Sequence, residues 1–220
     1  MSVRLQQLDR EILESPEFAI AITHRSVGGQ NNERLEFLGD SILGLIITEW
    51  LYKQLPDASE GHLSRLRALL VRKETLAEIG KDLKLGERLR LGEGELKSGG
   101  FRRPSILADA FEAVIGAIYL VKGLPYTEGF IKGIYAQRFD NLPTEDELKD
   151  PKTRLQEYLQ GKGYSPPSYE VIKVSGKPHE QEFQVVCRIE AMSRQTTAMG
   201  RSRKRAEQQA AEDLLKSLTE

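Results

Sequence analysis

Asn31-Asn32-Glu33-Arg34-Leu35-Glu36-Phe37-Leu38-Gly39-Asp40-Ser41 decides how the chain is read. Glu33, Glu36 and Asp40 are spaced i, i+3 and i+7, so at 3.6 residues per turn they share one helical stripe. Leu35, Leu38, Ile42 and Ile46 fall on the opposite side. An amphipathic surface helix with a wet acidic face would show the same pattern. Two features point elsewhere. Like charges on one stripe repel, and from Ser41 onward the helix is apolar nearly all round (Ile42, Leu43, Leu45, Ile46, Ile47, Trp50), which predicts burial.

A second stretch, Pro104 to Leu120, is an apolar helix whose ionisable side chains before Tyr119 are Asp109 and Glu112, again i, i+3. Ser105 is a candidate N-cap. A carboxylate in such a helix costs several kcal/mol unless something compensates it. Ala113 and Gly116 lie beside this acidic pair and Gly44 lies beside the first stripe, so small residues would let the two helices approach. Glu36, Asp40, Asp109 and Glu112 would then converge. Carboxylates with no His or Cys nearby suit hard cations, Mg²⁺ or Mn²⁺. Neutralisation by Arg34, Arg65 or Arg67 is the structural alternative.

Glu33-Arg34-Leu35-Glu36-Phe37-Leu38-Gly39-Asp40-Ser41 resembles the signature of the ribonuclease III family, without substitution. The run from Lys97 to Ala113 resembles that family's second motif, and Thr23-His24-Arg25-Ser26 a shorter third one. The resemblance implies a catalytic set of Glu36, Asp40, Asp109 and Glu112 holding Mg²⁺, with Mn²⁺ as a substitute. Glu33 and Glu60 would be supporting carboxylates. For Glu60 the alternative is a simple helix-dipole role. His24 is expected to be structural, since the family needs no catalytic histidine. The family also pairs two signature helices in a homodimer, one site per strand. Phe37, an aromatic beside the acidic stripe instead of on the core side, is the expected dimer contact.

The 220 residues suffice for one large domain or two small ones. Residues 1–150 hold 20 Lys/Arg against 24 Asp/Glu, and residues 151–220 hold 12 against 9, an asymmetry that fits metal and nucleic acid engaging different domains. The single cysteine, Cys187, allows no intrachain disulfide. The amino terminus has no signal-peptide layout, and the apolar stretch around 105–121 carries two acids, which makes it a poor membrane span. A cytoplasmic protein with no membrane partner is expected. No GxxxxGK[ST], HExxH or CxxC occurs, so no nucleotide cofactor is expected.

Residues 1–140 show helical periods and no strand. Expected helices cover 5–15, 17–22, 32–54, a stretch from Glu60, 75–83, 104–120 and 126–139. Lys97 to Arg103 reads as a flexible basic loop that puts Arg102 and Arg103 near a phosphodiester backbone, or as an ordinary solvated loop. Residues 141–150, polar and acidic, read as a linker.

From 151 the period changes. A helix over 151–160 buries Leu155, Tyr158 and Leu159. Strands follow at Ser168–Val174, around Phe183–Ile189, where Cys187 takes a core position, and over Arg194–Met199. A long helix from Ser202 to Leu218 closes the chain. It begins Arg201-Ser202-Arg203-Lys204-Arg205. Basic residues oppose the dipole there, so a phosphate site accounts for them better than stability does. A solvated charge run is the alternative.

This α-β-β-β-α order resembles the double-stranded-RNA-binding domain. The resemblance puts Gln156, Glu157 and His179 at the minor groove, and Ser202, Arg203 and Lys204 at the major-groove phosphates. Glu207 stands where many such domains have Lys. Together the two resemblances give an all-α endonuclease domain (1–140), a linker (141–150) and an α+β double-stranded-RNA-binding domain (151–220). They imply Mg²⁺-dependent hydrolysis of double-stranded RNA to 5′-phosphate and 3′-hydroxyl ends, in maturation of ribosomal, messenger and other structured RNA. A non-catalytic RNA-binding protein and a phosphohydrolase of small substrates are the competing classes. The intact acids oppose the first and the RNA-binding tail the second.

Overall fold

Residues 8–177 and 179–219 are described in the computed structural model, and the chain divides into two compact units, Met1–Leu142 and Pro143–Glu220. In the first unit α1 (Arg10–Leu13) is shorter than the expected 5–15; Leu5 to Gln7 lie outside the described residues. Ser15 Oγ accepts the Phe18 N–H at 3.1 Å to cap α2 (Pro16–Ala21), with Pro16 at the first helical position. Next come α3 (Glu33–Gln54), α4 (Glu60–Val71) capped by Ser59, α5 (Lys73–Asp82), α6 (Glu93–Lys97) and α7 (Pro104–Phe139). Ser105 is not the cap of α7. Pro104 occupies its first position and Arg103 precedes it. The expected break between two helices is a kink within α7 at Gly123, whose φ of 75° suits a residue without Cβ.

α3 and α7 cross at the core. Leu35, Ile42, Leu43, Ile46, Ile47 and Leu51 of α3 meet Phe111, Val114, Ile115 and Ile118 of α7, all buried. The contact is backbone to backbone. A Cβ on Gly39 would lie 1.8 Å from the Glu112 carbonyl oxygen, and one on Gly116 2.4 Å from the Leu35 carbonyl oxygen. Gly116 thus serves as expected, but Gly44 does not: a Cβ there meets nothing within 4 Å, and Gly39 is its counterpart in the contact. Nor is α3 buried all round. Phe37, Leu45 and Tyr52 are 78%, 57% and 71% exposed. At 100° per residue they fall on one stripe, turned from α7.

In the second unit the stretch expected to be a linker is partly helical. α8 (Glu145–Leu148) carries a capping box, with the Thr144 hydroxyl receiving the Glu147 N–H while the Glu147 carboxylate receives the Thr144 N–H. α9 (Pro151–Gly161) precedes an antiparallel sheet of β1 (Ser168–Ser175), β2 (Glu182–Ile189) and β3 (Arg194–Gly200) in the order β1-β2-β3, and α10 (Arg203–Thr219) closes the chain. Leu155 and Leu159 of α9, Cys187, Ile189 and Ala198 of the sheet, and Ala210, Ala211, Leu214 and Leu215 of α10 form one core. Cys187 is buried and free, and burial pushes its thiol pKa up.

Candidate metal centre and nucleic-acid interface

The close approach of α3 to α7 is what assembles the acidic site. Gly39 rests on the carbonyl of Glu112, and Glu36 lies one turn before Gly39. Carboxylate oxygens of Glu36, Asp109 and Glu112 all lie within 4.8 Å of one another. Asp40 is outside that group and exposed. Its charge is nevertheless the largest electrostatic influence on Glu112. Burial first, and then the charges of Asp40, Glu36 and Asp109, push the Glu112 carboxyl up to about 8. Burial and the charge of Asp109 raise Glu36 as well.

Clustered carboxylates repel one another when ionised, and positive charge beside them offsets the repulsion. Lys73 supplies part of that charge, with Nζ 3.6 Å from Asp109 Oδ1. That oxygen is buried and accepts no hydrogen bond, which is costly for a carboxylate. An all-oxygen donor set with an orphaned oxygen fits a hard divalent ion. Among the cations acting on Glu36 and Glu112, Lys73 comes first, ahead of any arginine. Sequence reasoning misses Lys73, which lies before the helix expected over 75–83 and belongs to no motif.

The flanking candidates have other contacts. Glu33 pairs with Arg25 at 3.4 Å and adds negative charge at Glu36. Glu60 accepts the Ser64 hydroxyl at 2.7 Å and is not in the carboxylate group. His24 accepts the Ser26 N–H through Nδ1 at 3.2 Å, the structural role expected of it. Lys97 to Arg103 is not an open loop. It contains the end of α6 and a 3-10 turn at Gly100–Arg102; Arg103 pairs with Glu95 at 2.5 Å, and the Arg102 guanidinium lies 4.8 Å from the centre of the Phe101 ring.

In the second unit Gln156, Glu157 and His179 are exposed, as a groove contact requires. Glu157 accepts from Lys149 Nζ at 2.7 Å. Ser202 Oγ receives the Arg205 N–H at 3.3 Å, so it caps the start of α10. Arg203 donates to Glu207 at 2.8 Å, and Lys152 donates to the same carboxylate at 2.7 Å. Burial opposes the charge of Glu207, but these two donors outweigh it and hold the carboxyl below its ordinary range. Glu207 therefore organises two cations. Lys204 is exposed and, among the described residues, makes no ion pair.

An acidic group that could hold a cation lies between two crossed helices, in one chain with a three-stranded α+β unit whose last helix starts with basic residues, an arrangement that fits a nuclease coupled to a nucleic-acid-binding domain. Residues 17–138 match the ribonuclease-III-like family and residues 151–218 the double-stranded RNA binding motif. The chain belongs to the ribonuclease III family. It is 58% identical to ribonuclease 3 of Alkalilimnicola ehrlichii over 90% of this chain and 87% of that one. It is 50% identical to ribonuclease 3 of Hahella chejuensis over 99% and 98%. The solved nuclease domain of ribonuclease III from Campylobacter jejuni matches with a TM-score of 0.57 and 35% identity, over 63% of this chain and 98% of that domain. A second structure of that domain, described for flexibility in a region involved in dimer formation, matches with a TM-score of 0.55 and 36% identity over 58% and 96%. Among the described residues one helix, α7, is long and apolar enough to cross a membrane by composition, but 67% of its most apolar window is buried inside the protein.

Proposed function

We propose that the chain is an endoribonuclease that hydrolyses phosphodiester bonds of double-stranded RNA in RNA maturation, with Mg²⁺ as the natural ion and Mn²⁺ as its substitute. The observation that carries the reading is the group Glu36, Asp109 and Glu112, in which the buried Asp109 Oδ1 accepts no hydrogen bond. These three carboxylates would hold the ion. Asp40, one turn along α3 from Glu36, is the fourth acid, close enough for its charge to act on Glu112. Held there, a divalent ion would supply an acidified water and charge stabilisation at the leaving 3′ oxygen, consistent with 5′-phosphate and 3′-hydroxyl ends. Glu112, whose carboxyl is pushed up to about 8, would ligate as a carboxylate, the form that a divalent cation beside it would favour. No nucleophilic side chain is needed. Glu33 and Glu60 support the acidic face without joining the group.

Duplex recognition belongs to α9, the β1–β2 turn and the start of α10. Gln156, Glu157 and His179 would meet the minor groove, and Lys204 with Arg203 the phosphates. Arg102 and Arg103 flank the start of α7 and would meet the backbone near the cut. A homodimer would give one site per strand. The exposed Phe37 on α3 supports it, as does the dimer-forming region described for the Campylobacter jejuni nuclease domain. A reducing cytoplasm suits a chain whose one cysteine is buried and free.

A gel assay on a long RNA duplex, with Mg²⁺ or EDTA, tests the reading. Wild type should fragment the duplex only with Mg²⁺. Glu112→Gln should retard it uncut, since its RNA-binding unit is untouched. Binding without cleavage by wild type in both Mg²⁺ and Mn²⁺ would reduce the acidic group to a structural feature.

A further inference from the structure

Lys73 is the first residue of α5, where a positive charge opposes the helix dipole and gains nothing for the helix. Its side chain is 71% exposed, so burial of its stem does not fix it either. Its place comes from the packing of α5 on α7. A Cβ on Gly80 would stand 2.8 Å from the Leu107 carbonyl oxygen, so the two helices nearly touch, and the start of α5 is brought to Asp109. The 3.6 Å from Nζ to Asp109 Oδ1 is too long for a hydrogen bond, and the oxygen has no other donor. The ammonium therefore serves the group as a charge, not as a donor. It offsets the repulsion at both Glu36 and Glu112, and the packing alone would not require that.

We infer that Lys73 is a placeholder cation: it occupies the electrostatic position of the divalent ion in the metal-free site and competes with the ion for Asp109. The inference rests on the reading of Glu36, Asp109 and Glu112 as the metal site. Lys73 is a positioning residue, since it acts through a ligand and touches no substrate. Its presence weakens the hold of the carboxylates on the ion and keeps the empty site from carrying its full negative charge. An ordinary surface ion pair would have no such effect on metal affinity.

Mn²⁺ titration of the full chain without RNA, with free Mn²⁺ read by electron paramagnetic resonance, tests this apart from activity. Lys73→Ala should bind Mn²⁺ at least about threefold more tightly than wild type at low ionic strength, because a unit charge repelling a divalent ion across a few ångströms is only partly screened there. Adding KCl should shrink the ratio towards one. Lys73→Arg, which keeps the charge, should match wild type. Glu112→Gln is the control on the site. If it binds Mn²⁺ as wild type does, the site reading falls and the inference with it. If Glu112→Gln loses binding while Lys73→Ala binds no more tightly than wild type, the inference alone is overturned.

Discussion

Glu112 shows how a functional carboxylate burdens the fold that holds it. Its carboxyl is pushed up to about 8 from an ordinary 4.5, by burial first and by the other acids second. The folded state therefore binds more protons than the unfolded chain between those values. By linkage, the metal-free protein loses stability as pH rises from about 4.5 to about 8. Calorimetric melting in EDTA should show the midpoint falling across that window. In Glu112→Gln, which has no proton to lose there, the fall should be shallower, and the variant should outlast wild type at pH 8. Saturating Mg²⁺ should reverse the order, since the ion stabilises only the chain that can bind it. Parallel pH profiles for the two proteins in EDTA would mean that burial at Glu112 is compensated by groups other than the acids. The presence of this carboxylate was legible in the sequence, because an acid in an apolar helix demands compensation. Lys73 was not, because nothing in its own segment signals which helix it will reach.

At the scale of elements, the α3–α7 crossing decides whether the acids meet. Gly39→Ala would drive a methyl to 1.8 Å from the Glu112 carbonyl oxygen, an overlap that only separation of the helices relieves. The expected loss is at least about 3 kcal/mol, the upper end of overpacking costs. Gly116→Ala, at 2.4 Å from the Leu35 carbonyl oxygen, should behave similarly. Gly44→Ala meets nothing and removes a flexible residue from a helix interior, so it should gain about 0.5–1 kcal/mol. Urea denaturation of the three variants checks the set. Equal losses at Gly39 and Gly44 would contradict the crossing geometry. Spacing had suggested Gly44 because it shows which residues share a face, not the depth at which two helices cross. The same limit explains the loop at Lys97–Arg103. Its charge was visible, but the pairing of Arg103 with Glu95 depends on how the short α6 folds back. The strands of the second unit were easier to read, since each is short, bounded by turns and matched to a core of known side. In the sequence Glu207 stands only as a departure from the Lys that many such domains have. In the fold it is the partner of both Arg203 and Lys152, a pairing that needs α9 and α10 side by side.

At the scale of the whole molecule, one chain holds one acidic site, while a duplex has two strands to cut. The stripe of Phe37, Leu45 and Tyr52 on α3 is apolar, exposed and on the same helix as Glu36. A large aromatic that is 78% exposed stabilises nothing within its own chain. Its burial in a second copy would give it a role and would place the two acidic sites around one shared pair of helices. Loss of such an aromatic anchor costs about 2 kcal/mol or more per contact, roughly thirtyfold in dimer affinity. Phe37→Ala should therefore sediment as a monomer at concentrations where wild type is a dimer, with an unchanged circular dichroism spectrum because no core is disturbed. Its RNA-binding unit is intact, so duplex binding should persist in a weaker, less salt-sensitive form, with fewer phosphate contacts per assembly. Cleavage should fall, and the residual product should be nicked duplex instead of paired cuts. A Phe37→Ala protein that sediments with wild type and cuts both strands in one encounter would assign the stripe to some other partner and leave the second strand to a second, independent binding event.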